Sequence, residues 1–204
     1  MNVYGFAVQP IGANSYILEN ENDKNVVIID LGGSVSVIDA FINEKQFNPL
    51  AVLLTHGHFD HSTGAEEYHK RGIPVYVSEF DAEMLETDKN MASDYGLKYN
   101  YYKPDRTFRG GETLNIGNFQ ISVIATPGHT KGSVTFLTDK KLFTGDTLFR
   151  KNYGRCDFAG GSYKEIYNSI VNILFKLDGD YDVYPGHGEK TTLDTERRLN
   201  EIIY

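Results

Sequence analysis

The chain predicts an α/β fold built from two similar halves packed sheet to sheet. Three observations carry this expectation. Short β-rich runs are bounded by Gly, Asn and Asp; helical segments alternate with them; and each half carries strands and then helices, with no fixed-period repeat or Pro-rich linker between the halves.

In the first half, strands are expected at Val3 to Val8, Ser15 to Leu18, Val26 to Asp30 and Ala51 to Thr55. The turns between them are Gly12-Ala13-Asn14, Asn20 to Asn25 and Gly32-Gly33. Ser34 or Ser36 caps a helix running to Asn43, and Ser62 caps a second over Thr63 to Arg71, which Gly72 stops. After a strand at Val75 to Val77, the stretch Glu79 to Gly110 begins as helix and continues as a surface excursion rich in tyrosine, with Tyr95, Tyr99, Tyr101 and Tyr102. Strands follow at Thr113 to Ile116, Phe119 to Ala125, Ser133 to Leu137 and Leu142 to Phe143, with hairpin turns at Gly117-Asn118 and Asp139-Lys140. Ile166, Ile170, Ile173, Leu174 and Leu177 recur at helical spacing, so a helix is expected over Tyr163 to Leu177, capped by Ser162. A last helix covers Asp194 to Ile203.

A chain of 204 residues, 40% hydrophobic and 24% charged, is sized for one domain with its own core, and 1–204 are read as that single domain. Twenty basic residues against 28 acidic ones give a net charge of −8, which argues against nucleic acid or an anionic membrane as partner. The apolar runs fall far short of the roughly 20 residues of a spanning helix. One cysteine, Cys156, and a start without a secretory pattern over Met1 to Pro10 point to a reducing, cytoplasmic setting.

Five of the six histidines sit beside Gly, Asp or Thr in short segments that follow strands: Thr55-His56-Gly57-His58-Phe59-Asp60-His61, Pro127-Gly128-His129-Thr130 and Pro185-Gly186-His187-Gly188. Neutral imidazole and anionic carboxylate are the ligand types of divalent metals, and burying this many polar groups without such a partner is costly. His56, His58, Asp60 and His61 exceed what one tetrahedral ion takes from one loop. His129, Asp146 and His187 add three more ligands, so two divalent ions are expected, zinc first, with iron or manganese as the other candidates. Asp146, at a strand end in Thr144-Gly145-Asp146-Thr147, has two oxygens with which to bridge them.

His-x-His-x-Asp-His followed by Gly-His, Gly-Asp and Gly-His in this order resembles the metallo-β-lactamase superfamily of metal-dependent hydrolases, over roughly Thr55 to Gly188. The runs Gly145 to Phe149 and Gly154-Arg155-Cys156-Asp157-Phe158 look most like its glyoxalase II-like branch. The resemblance implies a four-layer αβ/βα sandwich. It also implies one metal on His56, His58 and His129, a second on Asp60, His61 and His187, and Asp146 shared, with Asp60 catalytic as well as a ligand. Such an ion pair lowers the pKa of bound water, giving a bridging hydroxide that attacks a carbonyl near neutral pH. A small acyl-thiol is the expected substrate, because a thiolate, with a free thiol pKa of about 8.5, leaves without much help from an acid. Only a short segment follows His187, so the C-terminal helical domain with which glyoxalase II-type enzymes grip glutathione is not expected.

Two other activities resemble parts of the same pattern. Persulfide dioxygenases share the Gly154-Arg155-x-Asp157-Phe158 run and hold one iron at positions matching His56, His129 and Asp146; two-metal phosphodiesterases or nucleases are the third reading. Arg155 is poised between a substrate carboxylate and an internal pair with Asp157. Tyr95 to Tyr102 either pack or line a substrate mouth with Phe149 and Tyr153; Cys156 and His69 are read as structural.

Overall fold

Val26, Val27, Ile28 and Ile29 are all fully buried, which a strand achieves only when both faces of its sheet are covered. Val26 and Ile28 point to one core, Val27 and Ile29 to another, and that division organises the molecule. The computed structural model describes residues 1–20 and 23–204.

The first sheet contains β1 (Asn2–Val8), β2 (Ala13–Glu19), β3 (Asn25–Ile29), β4 (Asn48–Leu53), β5 (Val75–Ser78) and β6 (Arg106–Phe108), in that order. β1, β2 and β3 pair antiparallel; β3 to β6 pair parallel. Parallel neighbours need crossovers, and these are supplied by α1 (Ser36–Lys45), by α2 (Phe59–Ser62) with α3 (Ala65–Lys70), and by a segment that opens with α4 (Ala82–Glu86).

The second sheet is built from β7 (Thr113–Ile116), β8 (Phe119–Ala125), β9 (Val134–Thr138), β10 (Lys141–Gly145), β13 (Asp182–Pro185) and β14 (Thr191–Thr192), in the order β14-β13-β10-β9-β8-β7. Between β10 and β13 lie a small hairpin, β11 (Leu148–Phe149) with β12 (Asn152–Tyr153), and α5 (Tyr163–Tyr167); α6 (Leu193–Leu199) follows β14.

Three apolar cores separate four layers. Ile38, Ile42, Tyr68 and Leu85 from the helices pack on Val26, Ile28, Val52 and Val77. Leu18, Val27, Ile29 and Leu53 meet Ile121, Val123, Phe136 and Phe143 between the sheets. Ile166, Ile170, Leu174 and Leu193 cover Leu142 and Val183 on the far side. The layers therefore run helix, sheet, sheet, helix, the αβ/βα sandwich expected from the sequence.

Several local expectations change. The segment over Tyr163 to Leu177 is α-helical only through Tyr167; a π-turn over Asn168–Ile173 and a 3₁₀ turn over Leu174–Lys176 complete it, although Ser162 caps it as expected, accepting from Glu165 N. Ile166, Ile170 and Leu174 stay buried throughout, so packing holds the apolar stripe while the hydrogen-bond period shifts. The last helix breaks at Asn200, whose side chain accepts from Ile202 N. The helix placed at Thr63 to Arg71 starts instead at Phe59, inside the histidine cluster, and pauses at Thr63-Gly64; Ser62 is no cap, its hydroxyl donating to His58 O. Val35, not Ser34 or Ser36, precedes α1 as its cap residue. The tyrosine stretch is only partly a surface excursion: Tyr99 and Tyr102 are buried in the outer core of the first sheet, while Tyr95 and Tyr101 are exposed. The turn at Asn20 to Asn25 falls in part on residues 21 and 22, outside the described residues. Among the described residues, no helix is long and apolar enough to cross a membrane.

Candidate metal centre

Each sequence-predicted site residue stands just past the C-terminal end of a strand. His56 follows β4, His129 β8, Asp146 β10 and His187 β13, while Asp60 and His61 occupy the single turn of α2. Backbone bonds tie these loops together: Val134 N donates to Thr55 O (2.9 Å) and Asn14 N to Gly186 O (2.7 Å) between the sheets, and Gly186 N to Gly145 O (2.9 Å) within the second. Tyr16 Oη adds a bond to Pro185 O at 2.6 Å. Gly145 adopts φ +47°, and a Cβ there would lie 2.3 Å from Thr55 Oγ1, so only glycine lets β10 end against the first histidine loop.

All seven side chains converge. Atoms of His56, His58 and His129 form one group within 4.8 Å of one another, and Asp60, His61 and His187 form another. Asp146 faces both: Oδ1 lies 3.2 Å from His61 Nε2, and Oδ2 lies 3.6 Å from His129 Nε2 and from His187 Nε2. His58 Nδ1 and His129 Nε2 approach to 2.8 Å. Asp60 Oδ2 is 3.2 Å from His187 Nε2.

Buried partners set the ring tautomers. Asp30, on the turn after β3, accepts from Thr55 N (2.8 Å), Thr55 Oγ1 (2.8 Å) and His61 Nδ1 (2.8 Å). With its proton given to Asp30, the Thr55 hydroxyl is left to accept from His56 Nδ1 at 3.1 Å. His129 Nδ1 donates to Arg155 O at 2.6 Å. With each Nδ1 engaged outward, the Nε2 atoms of His56, His61 and His129 face inward, the arrangement by which outer hydrogen bonds orient metal-binding histidines. Among the described residues, three buried side-chain atoms lack a hydrogen-bond partner: His56 Nε2, His61 Nε2 and Asp146 Oδ1. Orphaned buried lone pairs are costly unless a cation takes them up, so the residues present fit a metal.

Electrostatics divide the histidines of the centre. Burial, reinforced by neighbouring histidines, pushes His56 well below the ordinary imidazole range, and burial with His129 pushes His58 to about 3. For His61, burial opposes protonation, but Asp146, Asp60 and Asp30 outweigh it and raise the ring well above its usual range. Burial likewise works to raise Asp146, and His61, His129 and His187 overcome it and hold the carboxylate well below its ordinary range.

A cavity of about 220 Å³ opens onto these groups. Its apolar wall comes from separate elements: Ile11, Phe59, Met91, Tyr95, Phe149 and Phe158. Of the tyrosine stretch, only Tyr95 reaches it. Arg155 also lines it but is held by Asp157 through two bonds (2.9 and 2.8 Å), with its guanidinium 4.1 Å from the centre of the Phe158 ring. The internal pair is thus the one formed. Cys156 packs against the outer core of the second sheet, where burial raises its thiol, and His69 pairs with Asp105 on α3, away from the cluster.

Four supporting residues lie outside the set expected from the sequence. Asp30 carried a usable signal, an Asp at the end of an apolar strand, the same signal that drew attention to Asp146. Asp81, buried between loops, has none. Glu196 and Asn200 on the C-terminal segment hold the β11-β12 hairpin that presents Phe149: Glu196 Oε2 accepts from Lys151 N (2.7 Å), and Asn200 Nδ2 donates to Phe149 O (3.2 Å) and Asn152 O (2.8 Å).

The family description "Metallo-beta-lactamase superfamily" matches residues 8–187. Hydroxyacylglutathione hydrolase GloC of Haemophilus influenzae is 35% identical over 189 residues, covering 90% of this chain and 89% of its own. Among solved structures, BLEG-1 B3 metallo-beta-lactamase superposes with a TM-score of 0.93 at 35% identity, over 99% of both chains. The di-iron-bound form of TTHA1623 superposes at 0.86 with 32% identity, over 97% of this chain and 98% of that one. With the sandwich, the seven converging side chains and these likenesses together, the chain belongs to the metallo-β-lactamase superfamily of metal-dependent hydrolases.

Proposed function

We propose that this protein hydrolyses the thioester of a small acyl-thiol at a two-metal centre, with His56, His58 and His129 holding one ion, Asp60, His61 and His187 the other, and Asp146 shared. The observation that carries the reading is the convergence of two ligand groups on one carboxylate, whose two oxygens face His61 on one side and His129 and His187 on the other. Similarity to hydroxyacylglutathione hydrolase GloC supports the thioester. Zinc is the proposed metal, and the di-iron form of TTHA1623 makes iron its competitor.

When bound, two divalent ions supply an activated water near neutral pH and a Lewis acid for the carbonyl oxygen. The chain's own residues do the rest. Asp60 takes up the proton of the attacking water at Oδ2, beside His187 Nε2. Asp30 and Arg155 O hold the rings of His61 and His129 by Nδ1, with Nε2 turned inward. Phe59, Tyr95, Phe149 and Phe158 exclude bulk water and receive the acyl chain.

Metal content per chain, followed by thioester cleavage with metal restored, tests the reading. About two ions, with metal-dependent release of thiol, is the expected result; no cleavage across several acyl-thiols overturns it. A β-lactam assayed alongside tests the amide chemistry that the likeness to BLEG-1 suggests. A single iron with oxygen uptake on a thiol persulfide supports the dioxygenase reading instead.

A further inference from the structure

Asp81 stands between β5 and α4, 1% exposed, and hydrogen-bonds to none of the seven side chains of the centre. A carboxylate so buried persists only where donors surround it. All of its side chain's donors come from the two loops that carry the three-histidine group. Oδ2 accepts from Gly57 N (3.1 Å) and Thr130 Oγ1 (2.6 Å), and Oδ1 accepts from Gly132 N (2.8 Å). Gly57 separates His56 from His58; Thr130 adjoins His129. The second loop is braced in turn by Ser133, whose Oγ accepts from Thr130 N (3.0 Å) and lies 2.8 Å from Thr130 Oγ1. A Cβ on Gly132 would fall 2.5 Å from Asp81 Cγ, so the loop is shaped to admit this carboxylate. By contrast, the Asp60, His61 and His187 group is braced by Asp30 and by the loop after β13, neither of which Asp81 contacts.

We propose that Asp81 is a positioning residue for one of the two metal sites: by tying the His56-Gly57-His58 turn to the His129-Gly132 turn, it sets the affinity of the three-histidine site and leaves the Asp60, His61 and His187 site untouched. The inference rests on reading those histidines as ligands.

Asp81→Asn tests it. The amide keeps the volume but has one acceptor oxygen, so it cannot serve donors on both sides. The metal-free protein is titrated with cadmium and followed by ¹¹³Cd NMR, which separates the site with three nitrogens from the site richer in oxygen by shift; circular dichroism reports the fold. The expected result is a tenfold to hundredfold loss of affinity, roughly the range for outer-shell partners, confined to the nitrogen-rich resonance, with the other within about twofold. Two unchanged resonances, or two weakened alike, overturn the proposal. Should Asp81→Asn not fold, Thr130→Val removes one donor only; a smaller selective loss at the same resonance is expected, and none overturns the proposal. His129→Ala separates the two levels: if it too leaves both resonances intact, the ligand reading fails, whereas loss in His129→Ala with none in Asp81→Asn sinks the positioning role alone.

Discussion

The two halves supply the centre in opposite ways. The first contributes His56, His58, Asp60 and His61 from one loop and one helical turn, braced by the buried carboxylates Asp30 and Asp81. The second contributes His129, Asp146 and His187 singly, from three loops, where backbone groups make the direct contacts, Arg155 O on His129, and Gly145 O and Asn14 N on the loop of His187, and Asp81 reaches across from the first half to the His129 loop. Where ligands crowd one loop, side chains must orient them, because several rings compete for the same space; where each ligand has its own loop, the strand ends do the placing. A mutation should therefore act through ring orientation in the first half and through loop position in the second.

The largest expected effect breaks the link between the halves. Asp146→Ala removes the one carboxylate facing both groups, and hydrolysis should fall by more than about a hundredfold, beyond the range for outer partners, with metal content dropping in elemental analysis. Next, Asp30→Asn sharpens the first-half rule: with Thr55 and His61 no longer both served, metal affinity should fall roughly tenfold to hundredfold, measured by chelator competition. Gly145→Ala probes placement at the second half's strand end. The positive φ and the approach to Thr55 Oγ1 should lower stability by about 1–3 kcal/mol, read from urea midpoints, and an unchanged midpoint would mean that the loop relaxes freely.

The smallest effect lies on the helical layer of the first half, where Arg71 binds Asp39 through two 2.8 Å contacts and Tyr68 Oη adds a third bond of 2.7 Å. The Arg71 guanidinium holds the Asp39 carboxyl below its ordinary range. A depressed carboxylate stabilises the fold above its unfolded value of about 4, and that contribution disappears as pH falls through the lower folded value. Because Arg71 is 42% exposed, solvent screening keeps the gain under about 1 kcal/mol. Asp39→Asn should flatten the acid limb of the stability curve slightly and leave metal content unchanged.

The layered α/β class, most strands and the seven candidate ligands are legible in the order of residues alone. Short β-rich apolar runs bounded by Gly, Asn and Asp, and histidines massed beside Gly and Asp at strand ends, are local signals that need no knowledge of the partner surface. Which residues serve the centre from afar emerges only when the layers pack. Asp30 and Asp81 act across 24 or more residues of chain, on Thr55 and on Gly57 and Gly132. The π-turn in 168–173 and the burial of Tyr99 and Tyr102 depend on what packs against them. Arg155 could be assigned to Asp157 only once both side chains had positions. Hydrogen bonds between distant segments leave no periodicity behind, because their spacing along the chain is set by the packing of layers.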